Sequence, residues 1–276
     1  MRLIAFGGDE RMRGALAAAR QAGWETRHIT RAEDEGEAEA DAVMLPWPHS
    51  FRGGRLEGGS MSREETLERV PPARAVLAGS GVSAQELAQC ALFVSPQADE
   101  AFLQRNAALT AEGAVFSAMQ RMDRPLADCT CVITGYGRIA RALAKRLCAM
   151  GTFVIVCARS EGQMRAAHDD GAHPVPLAQA ASACRQADLV MNTVPAPVLG
   201  RDALERLAGR AKVFELASAP YGMDMQLAAR LGVEIVMEGG LPGRYAPQQA
   251  GAALFDALLR AMQAEGAEQT GGEEHG

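Results

Sequence analysis

A short apolar run, Thr130 to Thr134, leads directly into Gly135-Tyr136-Gly137-Arg138-Ile139-Ala140, and a helical pattern begins with no spacer. This order constrains the fold more than any other feature of the chain. Gly135 permits a tight turn, Gly137 lets the backbone approach a pyrophosphate, and Ala140 allows the helix to pack closely on the strand. The start of that helix offers unpaired N–H groups and a partial positive charge to phosphate oxygens. A strand, a GxGxxA loop and a helix with Ile139, Leu143, Leu147 and Met150 on its apolar face together predict a dinucleotide-binding βαβ unit. Gly135, Tyr136, Gly137, Arg138 and Ile139 are its loop contacts.

The next strand, Thr152 to Ala158, ends in Ala158-Arg159-Ser160. An enzyme using NAD usually places Asp or Glu there for the ribose 2′-hydroxyl, whereas a guanidinium and a hydroxyl suit a 2′-phosphate. NADP is therefore expected over NAD, and an S-adenosylmethionine enzyme is disfavoured because its ribose is also normally held by an acid at this point. The alternative for Arg159 is a solvated residue at a strand end. Later strands, Leu189 to Val194, Lys212 to Ala217 and Val233 to Met237, bring Asn192, Thr193, Val194 and Pro195, and then Ala217 and Ser218, to carboxyl ends where a cofactor can lie. Asn192 and Ser218 could equally serve local turns.

The first half also alternates apolar runs (Leu3–Phe6, Ala42–Leu45, Ala75–Leu77, Leu92–Val94) with helical or polar stretches, as parallel sheets covered by helices do. A long helix is expected from Asp99 to Met122. The fold class is α/β, with two doubly wound parallel-sheet domains of which the second is a Rossmann dinucleotide-binding domain. The expected divisions are a flavodoxin-like substrate domain over 1–121, the NADP-binding domain over 122–245, a helix over 246–264 packing back on the first domain, and a disordered tail over 265–276. The glycine-rich stretch Phe51 to Ser60 reads as a flap or a plain connection, and the acidic run Glu33 to Asp41 as solvated surface.

Composition narrows the partners. A net charge of -6 with scattered arginines argues against nucleic acid. No apolar run has the length of a membrane span. The chain starts on a strand with no leader pattern, so a cytoplasmic location is expected. Six cysteines lie mostly in apolar patterns without CxxC spacing and read as reduced core thiols. Five histidines form no ligand cluster, and no metal is expected.

Taken in order, the segments resemble the A subunits of dipicolinate synthase nearly from end to end. The resemblance rests on Gly7-Gly8-Asp9 with Arg11, Leu45-Pro46, Ser80-Gly81-Val82-Ser83, and Asn106 followed by Thr110-Ala111-Glu112-Gly113. It continues through the glycine loop, Ala158-Arg159-Ser160, Asn192 to Pro195, Leu216-Ala217-Ser218 with Pro220 and Asp224, and Gly240-Leu241-Pro242-Gly243 followed by Ala246-Pro247. Leu109 stands where that family would have proline, and Ala140 where the loop would have its last glycine. The resemblance implies that a dihydropyridine dicarboxylate is oxidised to dipicolinate with NADP+ in the mother cell of a sporulating bacterium. It also implies a partner, the flavoprotein-like B subunit, with self-association left open. Two carboxylates need cationic or hydroxyl donors, for which Arg11, Ser80, Ser83, Asn106 and Thr110 are candidates. For the proton, Glu112 is the first candidate and Asp9 the second. Arg11 could instead be a surface residue at a helix start, and Glu112 a pairing residue on its own helix.

Overall fold

The computed structural model describes residues 1–272, and they follow the alternation of the sequence closely. Along the chain come β1 (Arg2–Phe6), α1 (Glu10–Gln21), β2 (Glu25–Ile29), β3 (Ala40–Met44), β4 (Phe51–Arg52), β5 (Arg55–Leu56), α2 (Arg63–Arg69), β6 (Ala73–Leu77), β7 (Cys90–Val94) and α3 (Glu100–Arg121). Then follow β8 (Thr130–Thr134), α4 (Arg138–Ala149), β9 (Phe153–Ala158), α5 (Glu161–Asp169), β10 (His173–Pro176), α6 (Ala180–Ala183), β11 (Leu189–Asn192), α7 (Arg201–Leu207), β12 (Lys212–Glu215), α8 (Met225–Leu231), β13 (Glu234–Met237), α9 (Leu241–Tyr245) and α10 (Pro247–Gly272). Two compact units result, unit 1 from residues 1–106 with the segment from 242 onward, and unit 2 from residues 107–241.

Unit 1 carries a five-stranded parallel sheet in the order β2-β1-β3-β6-β7. Alternate residues of each strand face opposite layers. Leu3, Ala5, Met44 and Leu77 pack against Met12, Ala15 and Leu16 of α1 and against Leu254, Phe255 and Leu258 of α10. Ile4, Phe6, Val43, Leu45 and Val76 pack on the other side with Leu56, Met61, Val70 and Leu87. Helices α1 and α10 approach through glycine: a Cβ on Gly251 would lie 2.1 Å from Arg11 O and 2.4 Å from Ala15 N. That contact sets where α1, and with it Asp9 and Arg11, stands against the sheet.

The stretch 51–60 is not a plain connection. It forms the β4–β5 hairpin, and Gly58 leaves no room for a side chain, since a Cβ there would meet Gly8 O at 2.2 Å. Helix α10 also runs past the expected end at 264. Glu265, Ala267, Glu268 and Gln269 favour helix, so the helical pattern extends to Gly272. Residues 273–276, the remainder of the expected tail, lie outside the described residues.

Unit 2 carries six parallel strands in the order β10-β9-β8-β11-β12-β13, the doubly wound order of dinucleotide-binding domains. On one face Cys131, Ile133, Val154, Val156 and Met191 pack against Leu143 and Leu147 of α4 and against Ala111, Ala114 and Ala118 of α3. On the other Val132, Ile155, Val190 and Val213 pack against Leu204, Leu207 and Ala228. The buried stripe of α4 is Ala140, Leu143, Ala144 and Leu147. Met150, expected on that stripe, caps the helix and is exposed, because the backbone turns away after Ala149. Leu109 lies buried in the unbroken α3, where a proline would remove a helical hydrogen bond. The six cysteines are free, and burial pushes the Cys157 thiol up to about 12 and the Cys184 thiol up to about 11. Among the described residues no helix is long and apolar enough to cross a membrane.

Candidate functional site

In an open parallel sheet, ligands bind beyond the carboxyl ends of the strands where the strand order reverses. In unit 2 that point lies between β8 and β11, and the glycine loop occupies it. Gly135 has φ 83°, and a Cβ there would come within 2.7 Å of Val194 Cγ2, so only glycine fits. Gly137 caps α4 with no side-chain hydrogen bond, and a Cβ on it would meet nothing within 4 Å. The first turn of α4 thus has open space before it, as close approach of a diphosphate requires.

Tyr136 does not offer its side chain to that space. It is buried, with its hydroxyl donating to Asp170 Oδ2 at 2.7 Å, and burial first and Asp170 second push its phenol well up. That leaves its backbone, not its side chain, for a ligand. Arg141 and Lys145 pair with the same carboxylate at 2.8 and 3.2 Å. Tyr136→Phe is expected to cost about 1 kcal/mol, read as a lower urea midpoint with an unchanged slope.

At the end of β9, Ala158 is buried and Arg159 and Ser160 are exposed. Ser160 caps α5, accepting from Gln163 N at 3.2 Å, and its hydroxyl proton stays available to a ligand. The Arg159 backbone donates to Gln163 Oε1, while its guanidinium makes no ion pair among the described residues. These groups fit a phosphorylated ribose.

Asn192 has a different place from the one its residue type suggests. It is fully buried, accepts from Thr134 Oγ1 at 2.5 Å, and donates to Glu215 Oε1 at 2.6 Å and to Val194 O at 3.0 Å. Glu215, also buried, accepts further from Ala217 N and Gly222 N at 3.0 and 2.9 Å. Burial pushes the Glu215 carboxyl above the usual range against those hydrogen bonds. The three side chains therefore brace the turns after β8, β11 and β12 from beneath. Thr193 adds a bond from its hydroxyl to Thr134 O at 2.7 Å. Pro195 and Ser218 are exposed, with Val194 and Ala217 partly so.

In unit 1 the strand order reverses between β1 and β3, and a pocket of about 120 Å³ opens there, lined by Asp9, Arg11, Trp47, His49, Arg52 and Glu57 among others. Asp9 caps α1 through Arg11 N and holds the Arg11 guanidinium at 3.0, 3.0 and 2.7 Å. Burial opposes ionisation of Asp9, but the combined bonds and charge of Arg11 keep the carboxyl below its usual range. The guanidinium lies 5.8 Å from the Trp47 ring centroid. Ser80 reaches this pocket through His49, whose Nδ1 lies 2.6 Å from Ser80 Oγ. Sequence reasoning misses His49, because it seeks imidazoles in metal clusters and in the second half of the chain.

The other expected residues lie elsewhere. Ser83 forms a capping box with Glu86. Asn106 and Thr110 lie on α3, Thr110 buried. Glu112, on the same helix, pairs with Arg146 at 2.8 Å in unit 2.

Known structures share this fold. Over 95% of this chain and 97% of the other, the fold matches the dipicolinate synthase A protein from Bacillus halodurans with a TM-score of 0.79 and 26% identity. The chain resembles dipicolinate synthase A chains. The A chain from Bacillus subtilis matches with a TM-score of 0.79 at 22% identity over 96% of this chain and 97% of that one. In sequence, the dipicolinate synthase A protein of Bacillus subtilis (strain 168) is 29% identical over 163 residues, 58% of this chain. The chain thus spans 55% of the length of that curated relative. A transhydrogenase from Sinorhizobium meliloti shares the fold at a TM-score of 0.67 and 16% identity, over 95% of this chain and 94% of that one. Residues 101–210 match the NAD binding domain of D-isomer specific 2-hydroxyacid dehydrogenases. That match indicates a nicotinamide dinucleotide as the ligand of unit 2.

Proposed function

We propose that this chain is the NADP-dependent A component of a dipicolinate synthase, oxidising a dihydropyridine dicarboxylate to pyridine-2,6-dicarboxylate. The observation that carries the reading is Arg159 with Ser160 at the end of β9, in a chain resembling dipicolinate synthase A. A guanidinium free of ion pairs among the described residues, beside a hydroxyl, suits a 2′-phosphate, where an acidic residue would repel it. Bound there, NADP+ would supply the hydride acceptor. Because the product ring is aromatic, the reaction runs downhill, and the protein chiefly has to orient the ring and manage one proton.

Within this reading the backbone of Gly135 to Ile139 and the start of α4 hold the diphosphate, and the turns at Thr193 to Pro195 and at Ala217 and Ser218 bound the nicotinamide half. Asn192 acts beneath them as a brace. Arg11 is the first choice for a substrate carboxylate, with Ser80 nearby; Ser83, Asn106 and Thr110 are secondary candidates. The proposed setting is the cytoplasm of the mother cell of a sporulating bacterium, and the proposed partner is the flavoprotein-like B subunit.

A 2-hydroxyacid dehydrogenase is the competing reading, favoured by the family match over residues 101–210. It fits less well because the described imidazoles of unit 2, on His168 in the last turn of α5 and His173 at the start of β10, lie at the opposite end of the strands from the glycine loop. A purified chain, supplied with its flavoprotein partner, should convert dihydrodipicolinate and NADP+ to a product with the ultraviolet absorption of dipicolinate. Turnover of 2-oxoacids instead would transfer the chain to the competing reading, and tight NADP binding with no turnover would leave a protein that only binds the cofactor. Arg159→Glu is expected to weaken NADP(H) about a hundredfold while changing NAD(H) little. Equal losses for the two cofactors, measured by calorimetry, would remove the case for NADP.

A further inference from the structure

We propose that His49 accepts the ring proton in the unit 1 pocket, held by Ser80 and working beside Arg11, which receives a substrate carboxylate. This inference rests on the reading of the chain as a dihydropyridine dicarboxylate dehydrogenase. Its geometric basis is the pocket at the β1/β3 reversal. At about 120 Å³ that space is smaller than the ~300–1,000 Å³ of a typical ligand site. It therefore suits one carboxylate and the adjoining ring edge rather than a whole dinucleotide.

The groups around the pocket select the base by elimination. Asp9, from the start of α1, is committed to Arg11 and to the α1 cap, and Arg11 keeps it below the usual carboxylate range. Glu57, on the β4–β5 hairpin, pairs with Arg52 at 3.3 Å. Leu254 of α10 lines the pocket without charge. Glu112 belongs to unit 2 and to Arg146. His49 differs from all of them, because among the described residues only its Nδ1 has a partner, at 2.6 Å from Ser80 Oγ. With Nδ1–H donating to Ser80, the lone pair of Nε2 is left for a ligand.

Arg11 is poised in a complementary way. Asp9 takes its Nε and Nη2, and Nη1 makes no further bond among the described residues. A carboxylate bound there would bring the ring edge to the imidazole. The balance is simple. With bound NADP+ as the hydride acceptor, one ring C–H would supply the hydride, a proton would leave the neighbouring ring atom to His49 Nε2, and the remaining electron pair would complete the aromatic ring. The imidazolium then returns its proton to solvent, which the exposure of His49 allows.

Two measurements test this, one of them independent of turnover. Both tryptophans, Trp24 and Trp47, belong to unit 1, and Trp47 lines the pocket. Dipicolinate, used as the probe, should therefore change tryptophan fluorescence. Its affinity should fall about tenfold in His49→Gln, while residual binding through Arg11 persists. In turnover, His49→Gln should lower kcat about a hundredfold with little change in KM and remove the acid limb of the pH profile. Free imidazole should partly restore His49→Ala. Ser80→Ala should lower kcat about tenfold and keep the limb, as loss of an orienting bond does. Unchanged dipicolinate affinity and unchanged kcat in His49→Gln would overturn the role of His49 and leave the reaction assignment standing. A wild type that turns over no dihydrodipicolinate would overturn the assignment; weaker dipicolinate binding by His49→Gln would still support the site.

Discussion

Gly251→Ala will destabilise unit 1 by about 2–3 kcal/mol, even though alanine is the better helix former. The propensity gain is about 1 kcal/mol. Against it stands a Cβ forced to 2.1 Å from Arg11 O and 2.4 Å from Ala15 N, atoms of a packed helix that no side-chain rotation can move aside. Helix α1 has to retreat from α10, opening the layer of Met12, Leu16, Phe255 and Leu258 between them. The measurement is direct, because both tryptophans report on unit 1 and Trp24 contacts Phe255 of α10 edge-on at 5.5 Å between ring centroids. The fluorescence-detected thermal midpoint should fall by roughly 10 °C. A midpoint equal to or above the wild type would mean that the close contact of the two helices carries no energetic weight.

The second large effect lies in unit 2. Glu215→Leu removes an acceptor from Asn192 Nδ2, Ala217 N and Gly222 N at once. Asn192 Nδ2 keeps Val194 O and Ala217 is partly exposed, so Gly222 N and one amide hydrogen of Asn192 are orphaned in a buried site. One such orphan costs about 1–3 kcal/mol, so a loss of about 3–5 kcal/mol is expected, offset in part by no longer burying a charge. The turns after β11 and β12 lose their brace, so dinucleotide affinity should fall together with the denaturation midpoint. Glu215→Gln separates charge from hydrogen bonding. Burial raises the folded-state pKa of Glu215, so the native state binds the proton more tightly than the unfolded chain does. Stability from this group is therefore fullest below the unfolded pKa and declines as pH climbs through the folded one. Glutamine should flatten that slope while costing about 1–3 kcal/mol at its upper end, because its NH2 cannot accept from Gly222. A slope identical to the wild type would show that Glu215 does not titrate in the folded protein.

Which elements could be read from the sequence followed from where they sit. The central strands β1, β3, β6, β8, β9 and β11 are covered on both faces and read as apolar runs. Besides the short β4–β5 hairpin, the pattern missed β2 with Glu25-Thr26-Arg27-His28-Ile29 and β10 with Pro174 and Pro176, which are edge strands. An edge strand needs less apolar surface and tolerates proline, which erases the signal. The glycine loop was legible because its requirements are local. Asn192 was not, because its type suggests a ligand contact, while its partners Thr134 and Glu215 lie 58 and 23 residues away in sequence. His49 was hidden for the same reason, its partner Ser80 standing 31 residues away.

Unit 1 takes one wall of its core from α10, which follows residues 107–241 of unit 2 in the chain. During synthesis, the sheet that emerges first therefore waits longest. Leu3, Ala5, Met44 and Leu77 stay uncovered on the α10 side until Leu254, Phe255 and Leu258 have left the ribosome, by which time all of unit 2 has been made. Maturation thus reverses the order of translation, and the half-finished sheet is the species that a chaperone would meet.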